Sequence, residues 1–411
     1  MTRTLRTLML GAIVLAVSFA LIACEAIEMP DEDAPAKDAL TFAIGFGGPL
    51  TQGDVAFGQG ARRAVVLAIE QANASPRAKE AGIQFRVADG DDQSRADRGI
   101  AVANTLVSLD DLVGVVGHFN STVSIPVSQV YAEAGIVQIS YASTSPDLTA
   151  QGLDNVFRTC ATDLLQGPVA AQSAIDLGKN RVFVVDDSSI YGYGLTNEFS
   201  RAFTDLEGTI LGTASTEQGQ SDFSDVIAQI AELDPDFVYF GGTYSAETGN
   251  GATFSRQLAE EGVSAPLMGG DGIQNDAFIS EAGPLSEGDM ATKPGTTLAD
   301  LPKGEEFTQA YAEMFPGQTP GGFDAFAFDA TNAIINAVFK VVEEHGGADD
   351  ITSREGRRAI IDAVQIIQFE GVTGPVSFDE FGDSNNPTIT TYLVSNGKWI
   401  PHPDLNHGAS E

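Results

Sequence analysis

Strand-like and helix-like segments alternate along the chain, and the whole alternation occurs twice. Short apolar runs typical of buried strands occupy residues 41–46, 83–89, 112–117 and 136–140, and again residues 181–187, 236–242 and 265–271. A strand–helix–strand order predicts parallel sheets with helices on both faces. Since 411 residues are enough for two domains, we predict an α/β protein of two similar lobes.

The intervening segments have helical periodicity and helix-end signals. In residues 61–74 the apolar positions Ala61, Ala64, Val65 and Ala68 share one face. The segment that follows the third strand has Ser121 and Thr122 at its start and Gly135 at its end, which are helix start and stop signals. Further helices are predicted near residues 193–207, 221–233, 252–262 and 324–345.

The N-terminus predicts secretion. Arg3 and Arg6 precede an uncharged apolar run at residues 8–23, which ends at Cys24. This layout is that of a secretory signal peptide, and it resembles the lipobox of bacterial lipoproteins, which is cleaved before a lipidated cysteine. We therefore predict a signal peptide at residues 1–23, lipidation at Cys24 and a location in the periplasm or at the cell surface. An uncleaved membrane anchor is the alternative.

Residues 24–39 are rich in acidic residues and contain two prolines, which predicts an extended tether. The net charge of −35 argues against nucleic acid or anionic lipid as a partner, and contact with the membrane is expected only through the lipid. With Cys24 lipidated, Cys160 has no intramolecular partner, and we predict that it is a buried apolar residue and not a nucleophile.

The dinucleotide-binding pattern, the nucleophile-elbow motif of hydrolases and metal-ligand spacing of histidines are absent from the sequence. The glycine-rich stretch after the first strand, residues 45–53, lacks a G-x-G-x-x-G pattern, and no G-x-S-x-G motif occurs. None of the four histidines has metal-ligand spacing, and His118 is expected to pack beneath the loop at residues 117–122. We predict a binding protein with no metal and no cofactor, and not an enzyme.

Polar side chains cluster where the predicted strands end. In open parallel sheets ligands bind outside the carboxyl ends of the strands. Residues 117–122, 141–144, 186–191, 241–244 and 269–271 occupy such ends. Ser121 and Thr122 also begin a helix, whose free N–H groups attract an anion, although N-capping alone would explain them as well.

The order of these segments resembles the type 1 periplasmic binding proteins, in particular the leucine/isoleucine/valine-binding proteins of branched-chain amino-acid ABC transporters. The most similar stretches are residues 116–149, 157–171, 188–195 and 371–383. The resemblance implies two Rossmann-like lobes with parallel sheets and several hinge crossovers. It places the first lobe at residues 40–160 plus 290–370 and the second at 161–289 plus 371–405.

The resemblance also implies a site for an amino acid. Ser121, the backbone of Ala142 and Thr144 would hold the carboxylate. Asp271 would meet the ammonium group. The ligand would pack against three aromatic residues, Phe119, Tyr191 and Phe323.

Several positions depart from the pattern of this family. Gly53 and Thr243 stand where branched-chain binders have aromatic residues, and Asn120 stands where one cysteine of a disulfide is expected. Residues 245–254 form a longer segment than in the family. The carboxylate site is thus retained while the surroundings of the ligand side chain differ.

The predicted function is a monomeric solute-binding lipoprotein that delivers an amino acid or a similar small polar ligand to an ABC permease. The alternative is a sensor module of the same fold, which relays the presence of an amino acid or amide to a partner.

Overall fold

The computed structural model describes residues 39–405. The predicted signal peptide and Cys24 lie outside the described residues. The strands are β1 (Leu40–Gly48), β2 (Ile83–Asp91), β3 (Leu112–Val116), β4 (Gln138–Ser140), β5 (Val156–Arg158), β6 (Arg181–Asp186), β7 (Thr209–Ser215), β8 (Phe237–Gly241), β9 (Leu267–Gly269), β10 (Met290–Pro294), β11 (Phe369–Glu370), β12 (Pro375–Val376), β13 (Ile389–Ser395) and β14 (Lys398–Pro401).

Helices separate most of these strands. They are α1 (Val55–Ala74), α2 (Pro76–Ala81), α3 (Ala96–Val107), α4 (Ser121–Glu133), α5 (Asp163–Asp176), α6 (Ile190–Asp205), α7 (Ser224–Leu233), α8 (Gly251–Glu260), α9 (Asp276–Ala282), α10 (Gly304–Met314), α11 (Asp324–His345) and α12 (Arg354–Gln365). One of the short 3₁₀ turns, Asp271–Ile273, follows β9.

The strands form two main sheets, one in each lobe. The first has the order β2-β1-β3-β4-β5 and is parallel throughout. The second has the order β14-β13-β10-β9-β8-β6-β7, in which β13 and β14 are antiparallel to their neighbours. The predicted α/β class is confirmed, with the second sheet mixed at one edge.

Alternating side chains of β1 explain how the first sheet is buried on both faces. Phe42, Ile44 and Phe46 belong to the apolar cluster that contains residues of α1 and α11. Ala43 belongs to the cluster on the opposite face, with residues of α3 and α4. The strand runs that predicted a doubly covered sheet therefore have apolar contacts on both sides.

Two of the predicted lobe boundaries differ from the structure. Strand β10 pairs with β9 and β13, so residues 290–294 belong to the second sheet and not to the first lobe. Residues near 382 contact the first sheet instead, because Arg158 in β5 bonds through its backbone N to Gly382 O at 2.9 Å and through Nε to Asp383 Oδ1 at 2.6 Å. The chain crosses between the lobes after β10, near residue 295, and again just before β13, near residue 388, so both predicted boundaries, 290 and 371, come too early in the chain.

Helix α11 is long and apolar enough to cross a membrane by length and composition alone. However, 78% of its most apolar 18-residue window is buried inside the protein. It is the central helix of the first lobe, packed between α1 and α12.

Two of the segments that cross between the lobes are hydrogen-bonded to each other. Gly295, with φ of +88°, follows β10, and its N–H donates to Thr388 O at 2.8 Å just before β13. A side chain at residue 295 would lie 2.9 Å from the Phe326 ring, so glycine is needed there for space as well as for conformation.

Trp399 in β14 lies at the edge of this hinge region. Its Nε1 donates to Asn275 O at 2.9 Å, and its ring lies 5.6 Å from that of Phe278. Together with Phe57 of the first lobe it lines a groove of about 1320 Å³ between the lobes.

Candidate ligand-binding cleft

A cavity lies between the two lobes, at the carboxyl ends of both sheets. Its empty space, open mouth included, is about 430 Å³. The first lobe contributes Ser94, Phe119, Asn120, Ser121, Thr122 and Ala142. The second lobe contributes Asp187, Ser189, Tyr191, Gln218, Thr243, Thr248, Asp271 and Gly272.

The first-lobe wall is formed by the turn from β3 into α4. Asn120 has extended backbone angles (φ −75°, ψ 134°), and α4 begins at the next residue. Ser121 is 2% exposed, and its Oγ accepts a hydrogen bond from Ser145 N at 3.3 Å. Because the first N–H groups of a helix have no partner within it, this wall presents hydrogen-bond donors and the positive end of a helix dipole.

Buried polar residues fix this turn from beneath. His118 is fully buried, with Nδ1 2.6 Å from Asp92 Oδ2 and Nε2 3.0 Å from Tyr131 OH. Its backbone oxygen accepts hydrogen bonds from the hydroxyls of Ser124 and Ser140. His118 therefore supports the turn, as predicted, and does not line the cavity.

Thr144 lies behind the wall. It is fully buried, does not line the cavity, and its hydroxyl lies beside the carboxyl of Asp163, the first residue of α5. Burial raises the pKa of Asp163 well above its ordinary value, and the nearby Asp271 raises it further. Ala142, two residues earlier in the chain, does line the cavity and is 4% exposed.

Asp271 is the centre of the second-lobe wall. Its Oδ1 accepts hydrogen bonds from Gln166 Nε2 at 2.7 Å and Tyr191 OH at 3.1 Å. A side chain at residue 270 would lie 2.4 Å from Tyr191 OH, so glycine before the aspartate allows this contact. Burial raises the pKa of Asp271 to about 6, although its hydrogen bonds lower it in part.

Asp187 provides a second carboxylate on the same wall. It directly follows β6 and is 1% exposed. Its Oδ1 accepts hydrogen bonds from the N and Oγ of Ser189, the N-cap of α6, at 3.0 and 2.5 Å. Burial raises its pKa to about 6 as well.

A third carboxylate, Asp54, connects the lobes one layer behind the cavity. Its Oδ2 accepts from Asn120 Nδ2 at 2.8 Å, and its Oδ1 accepts from Thr248 Oγ1 of the second lobe at 3.2 Å. Burial raises the pKa of Asp54 to about 6. Ile190 N donates to Thr122 Oγ1 at 3.1 Å, which is a second hydrogen bond across the cleft, so the lobes are closed on each other.

Aromatic rings close one end of the cavity. Phe119 stacks on Phe57 with ring centroids 4.7 Å apart, and Tyr244 of the second lobe lies edge-on to Phe57 at 5.9 Å. Phe323 packs against both Phe57 and Phe119 from behind, at 5.7 and 5.8 Å. Phe119 therefore lies between the cavity and Phe323.

The predicted site residues thus fall into two groups. Phe119, Ser121, Ala142, Tyr191 and Asp271 line one cavity. Thr144 and Phe323 do not line it, and Phe323 packs against Phe119, which does. Sequence reasoning missed Asp54 and Thr248: Asp54 was not recognised as the residue before a helix, and the Thr248 segment has no strand or helix pattern.

Metal ligation and thiol chemistry find no support at this cleft. Among residues 39–405, no three His, Cys, Asp or Glu side chains are grouped so as to hold a metal ion. Cys160 is free and 1% exposed, and burial raises the pKa of its thiol, as expected for an inert apolar residue.

Known proteins resemble this chain over nearly all of the described residues. The family model described as periplasmic binding protein matches residues 41–398. A Leu/Ile/Val-binding protein homolog 2 of Brucella abortus (strain 2308) is 32% identical over 352 residues, which is 85% of this chain and 89% of the relative. The leucine-, isoleucine-, valine-, threonine-, and alanine-binding protein of Pseudomonas aeruginosa is 31% identical over 86% of this chain and 89% of its own length.

The fold is that of a solved relative. The crystal structure of a leucine binding protein from Thermotoga maritima has a TM-score of 0.78 and 25% identity, and the match covers 88% of this chain and 97% of that one. Both curated relatives are named as binding proteins and not as enzymes, in agreement with the sequence prediction. The match to the family model over most of the chain and the two-lobed structure together show that the protein belongs to the periplasmic binding protein family.

Proposed function

We propose that this protein is the lipid-anchored, extracytoplasmic solute-binding component of an ABC transporter, that it acts as a monomer, and that it binds an amino acid or a similar small polar ligand between its lobes. The relatives named as binding leucine, isoleucine and valine support the class of ligand. The chemistry of the cleft supports it independently.

The observation that carries the proposal is the opposite polarity of the two cavity walls. The first-lobe wall has the N-terminus of α4 and the Ser121 hydroxyl, which suit a carboxylate. The second-lobe wall has the Asp271 carboxylate, which suits an ammonium group. A zwitterion placed across the cavity satisfies both walls at once.

The remaining predicted residues have supporting roles in this arrangement. The backbone of Ala142 would help to hold the carboxylate, and its carbonyl would accept from the ammonium. Tyr191 would pack on the ligand while its hydroxyl orients Asp271. Thr144 would act through the loop that it helps to position, and Phe323 through Phe119.

Closure of the lobes would follow from binding. The hydrogen bonds between Thr248 and Asp54 and between Ile190 and Thr122 form only when the walls meet. A ligand that contacts both walls favours the closed state by its differential affinity, and that state is what a permease would recognise.

Titration calorimetry on the full-length protein tests ligand binding. We expect L-amino acids to bind, whereas amines and carboxylic acids with the same side chains bind at least tenfold more weakly, because each satisfies one wall only. Equal affinity for an amino acid and its amine would contradict the assignment of the first-lobe wall.

Membrane fractionation tests the anchor. We expect Cys24→Ala to release the protein from membranes, since among residues 39–405 the one helix long and apolar enough to span, α11, is buried in the fold. Cys160→Ala is the matched control and should stay membrane-bound. Retention of the Cys24 variant on membranes would favour the uncleaved anchor.

Uptake of labelled amino acid tests delivery. Cells that lack the protein should take up the identified ligand more slowly, and the full-length protein should restore the rate. Unchanged uptake together with intact binding would favour the sensor alternative.

A further inference from the structure

Lys293 is a buried cation without an ionic partner. It lies in β10, is 8% exposed, and lines the groove between the lobes that Trp399 and Phe57 also line. Among residues 39–405, no hydrogen bond or ion pair includes its ammonium group. A buried charge is ordinarily paired, because its removal from water is costly. The ammonium group therefore lacks an anion.

The two carboxylates that act on Lys293 have partners of their own. Asp271 and Asp324 influence it from beyond ion-pair distance. Asp271 Oδ1 accepts two hydrogen bonds in the wall of the ligand cavity, and Asp324 Oδ2 accepts one from Gly321 N at 2.9 Å. Burial lowers the pKa of Lys293 to about 8, although the two carboxylates raise it in part, so the ammonium form prevails at pH 7.

Aromatic rings flank the ammonium group and leave its donors free. Lys293 Nζ lies 6.0 Å from the ring centroids of both Phe323 and Tyr392. Such contacts stabilise a cation but use none of its three N–H groups. A Cβ at residue 322 would lie 3.0 Å from Nζ, so the glycine there leaves the space beside the ammonium group unfilled.

The groove is separate from the ligand cavity. Among the described residues, none lines both. The ring of Phe323 is 5.8 Å from that of Phe119, which lines the cavity, and 6.0 Å from Lys293 Nζ, which lines the groove. Phe323 therefore stands between the two sites, and an anion at Lys293 would not occupy the place of a ligand in the cavity.

The walls of the groove are aromatic on both lobes. Phe57 and Phe326 belong to the first lobe, and Tyr392 and Trp399 belong to the second. The groove measures about 1320 Å³ with its open mouth included. Aromatic side chains suit a flat apolar body through stacked and edge-on contacts.

The charge of the groove limits the anion. Lys293 is the one cation among the described lining residues, and the other charged lining residue, Asp276, is exposed. A carboxylate carries one negative charge, whereas a phosphate group carries nearly two. Because Asp271 and Asp324 also act on this point, the single charge of a carboxylate fits better.

We propose that this groove is a second binding site, which takes a small aromatic carboxylate. The carboxylate pairs with the Lys293 ammonium group, and the ring lies between the aromatic side chains of the two lobes. The assignment does not depend on which ligand the cavity binds.

Tryptophan fluorescence of the full-length protein tests the site, because Trp399 is the single tryptophan and lines the groove. Benzoate is the probe, and benzamide, which has the same ring and no charge, is the matched ligand. We expect benzoate to change the emission in a saturable manner at millimolar concentrations or below. We also expect it to bind at least tenfold more tightly than benzamide.

A charge-removing variant tests the role of the lysine. Lys293→Met keeps an unbranched side chain and removes the ammonium group. We expect it to weaken benzoate binding at least tenfold and to change benzamide binding by less than threefold. The control is Lys340→Met on the solvent side of α11, which should bind benzoate as the unaltered protein does.

Three outcomes would overturn the proposal. Benzamide binding as tightly as benzoate to the unaltered protein would exclude the pairing with Lys293, whether or not the variant folds. Benzoate binding that survives Lys293→Met but is lost in Ser121→Ala would place the anion in the ligand cavity. Absence of benzoate binding to the unaltered protein would exclude an aromatic carboxylate as the occupant.

Discussion

The two walls of the cleft use different chemistry although they belong to lobes of similar architecture. The first-lobe wall presents hydroxyls, an amide and a helix N-terminus, and Asp54 behind it accepts hydrogen bonds from Asn120 and Thr248. The second-lobe wall presents Asp187 and Asp271, which lie one and two residues after the ends of β6 and β9. The few residues that follow a strand in this fold therefore decide whether that strand end offers the cleft hydrogen-bond donors or acceptors.

Because of this difference, we expect each wall to bind a different group of the ligand. Neither wall satisfies a zwitterion alone, and the closed state brings both to one ligand. Variants of the second wall should lose the strength of a charged pair, whereas variants of the first should lose single hydrogen bonds.

The largest effect is expected at Asp271. Asp271→Asn should weaken amino-acid binding by about 2–4 kcal/mol, because a buried charge-assisted contact is lost. Calorimetry measures it, with the exposed Asp205→Asn on α6 of the same lobe as a control for overall charge. Unchanged affinity would remove Asp271 from the site.

On the first wall, Ser121→Ala should reduce affinity at least tenfold, or about 1.4 kcal/mol. The control is Ser353→Ala, which removes a true N-cap: Ser353 Oγ accepts from Gly356 N at 3.1 Å on α12. That control should lower stability by about 1 kcal/mol without altering affinity. The structure already excludes Ser121 as the helix cap, because Asn120 precedes α4 and no side chain caps it. If Ser121→Ala behaves like the control, the Ser121 hydroxyl serves only the fold, through the hydrogen bond that it accepts from Ser145 N.

Thr144→Val should reduce affinity less, about threefold or ~0.6 kcal/mol. Thr144 lies behind the wall, and valine keeps the shape of threonine while it removes the hydroxyl. Combined with Ser121→Ala, its effect should be less than additive, since both act on one carboxylate. Titration of the double variant measures this. A tenfold loss from Thr144→Val alone would mean that its hydroxyl reaches the ligand.

The smallest expected effect is a pH dependence of the empty protein. The pKa values of Asp54, Asp187 and Asp271 are raised by burial to about 6, so the folded state binds more protons than the unfolded state between about pH 4 and 6. Stability should therefore fall as pH rises from about 4 to about 6, and the melting temperature should drop by a few degrees over that window.

Variants of the second wall test the pH prediction. Asp187→Asn or Asp271→Asn should flatten the dependence, since each removes one of the raised groups. The buried Lys293, whose pKa is lowered to about 8 by burial, acts above this window. A melting temperature that rises over the window in the unaltered protein would contradict the raised pKa values of the second wall.

Local patterns predicted most of the fold. Apolar runs that end in glycine or polar residues located β1, β3, β6 and β8, and the periodicity of residues 324–345 matched α11. Strand β7 at Thr209–Ser215 was not predicted, because it is an edge strand with partly exposed side chains and no clear apolar run.

The site was less accessible from sequence. The resemblance predicted that Ser121, Tyr191 and Asp271 line one cavity. Whether a residue lines the cavity or lies behind its wall depends on tertiary packing. Phe57 and Phe119 stack in front of Phe323, and no pattern in the sequence records that contact. The bond between Asp54 and Thr248 joins residues 194 positions apart and depends on the closure of two lobes.

Trp399 is the single tryptophan of the chain, which makes the protein optically simple. Its indole lines the groove between the lobes together with Phe57, so opening would expose the ring to water on that side. Intrinsic fluorescence would then report one event at one location, with emission moving to longer wavelength in the open state. Rapid mixing with ligand could follow the rate of closure without any label.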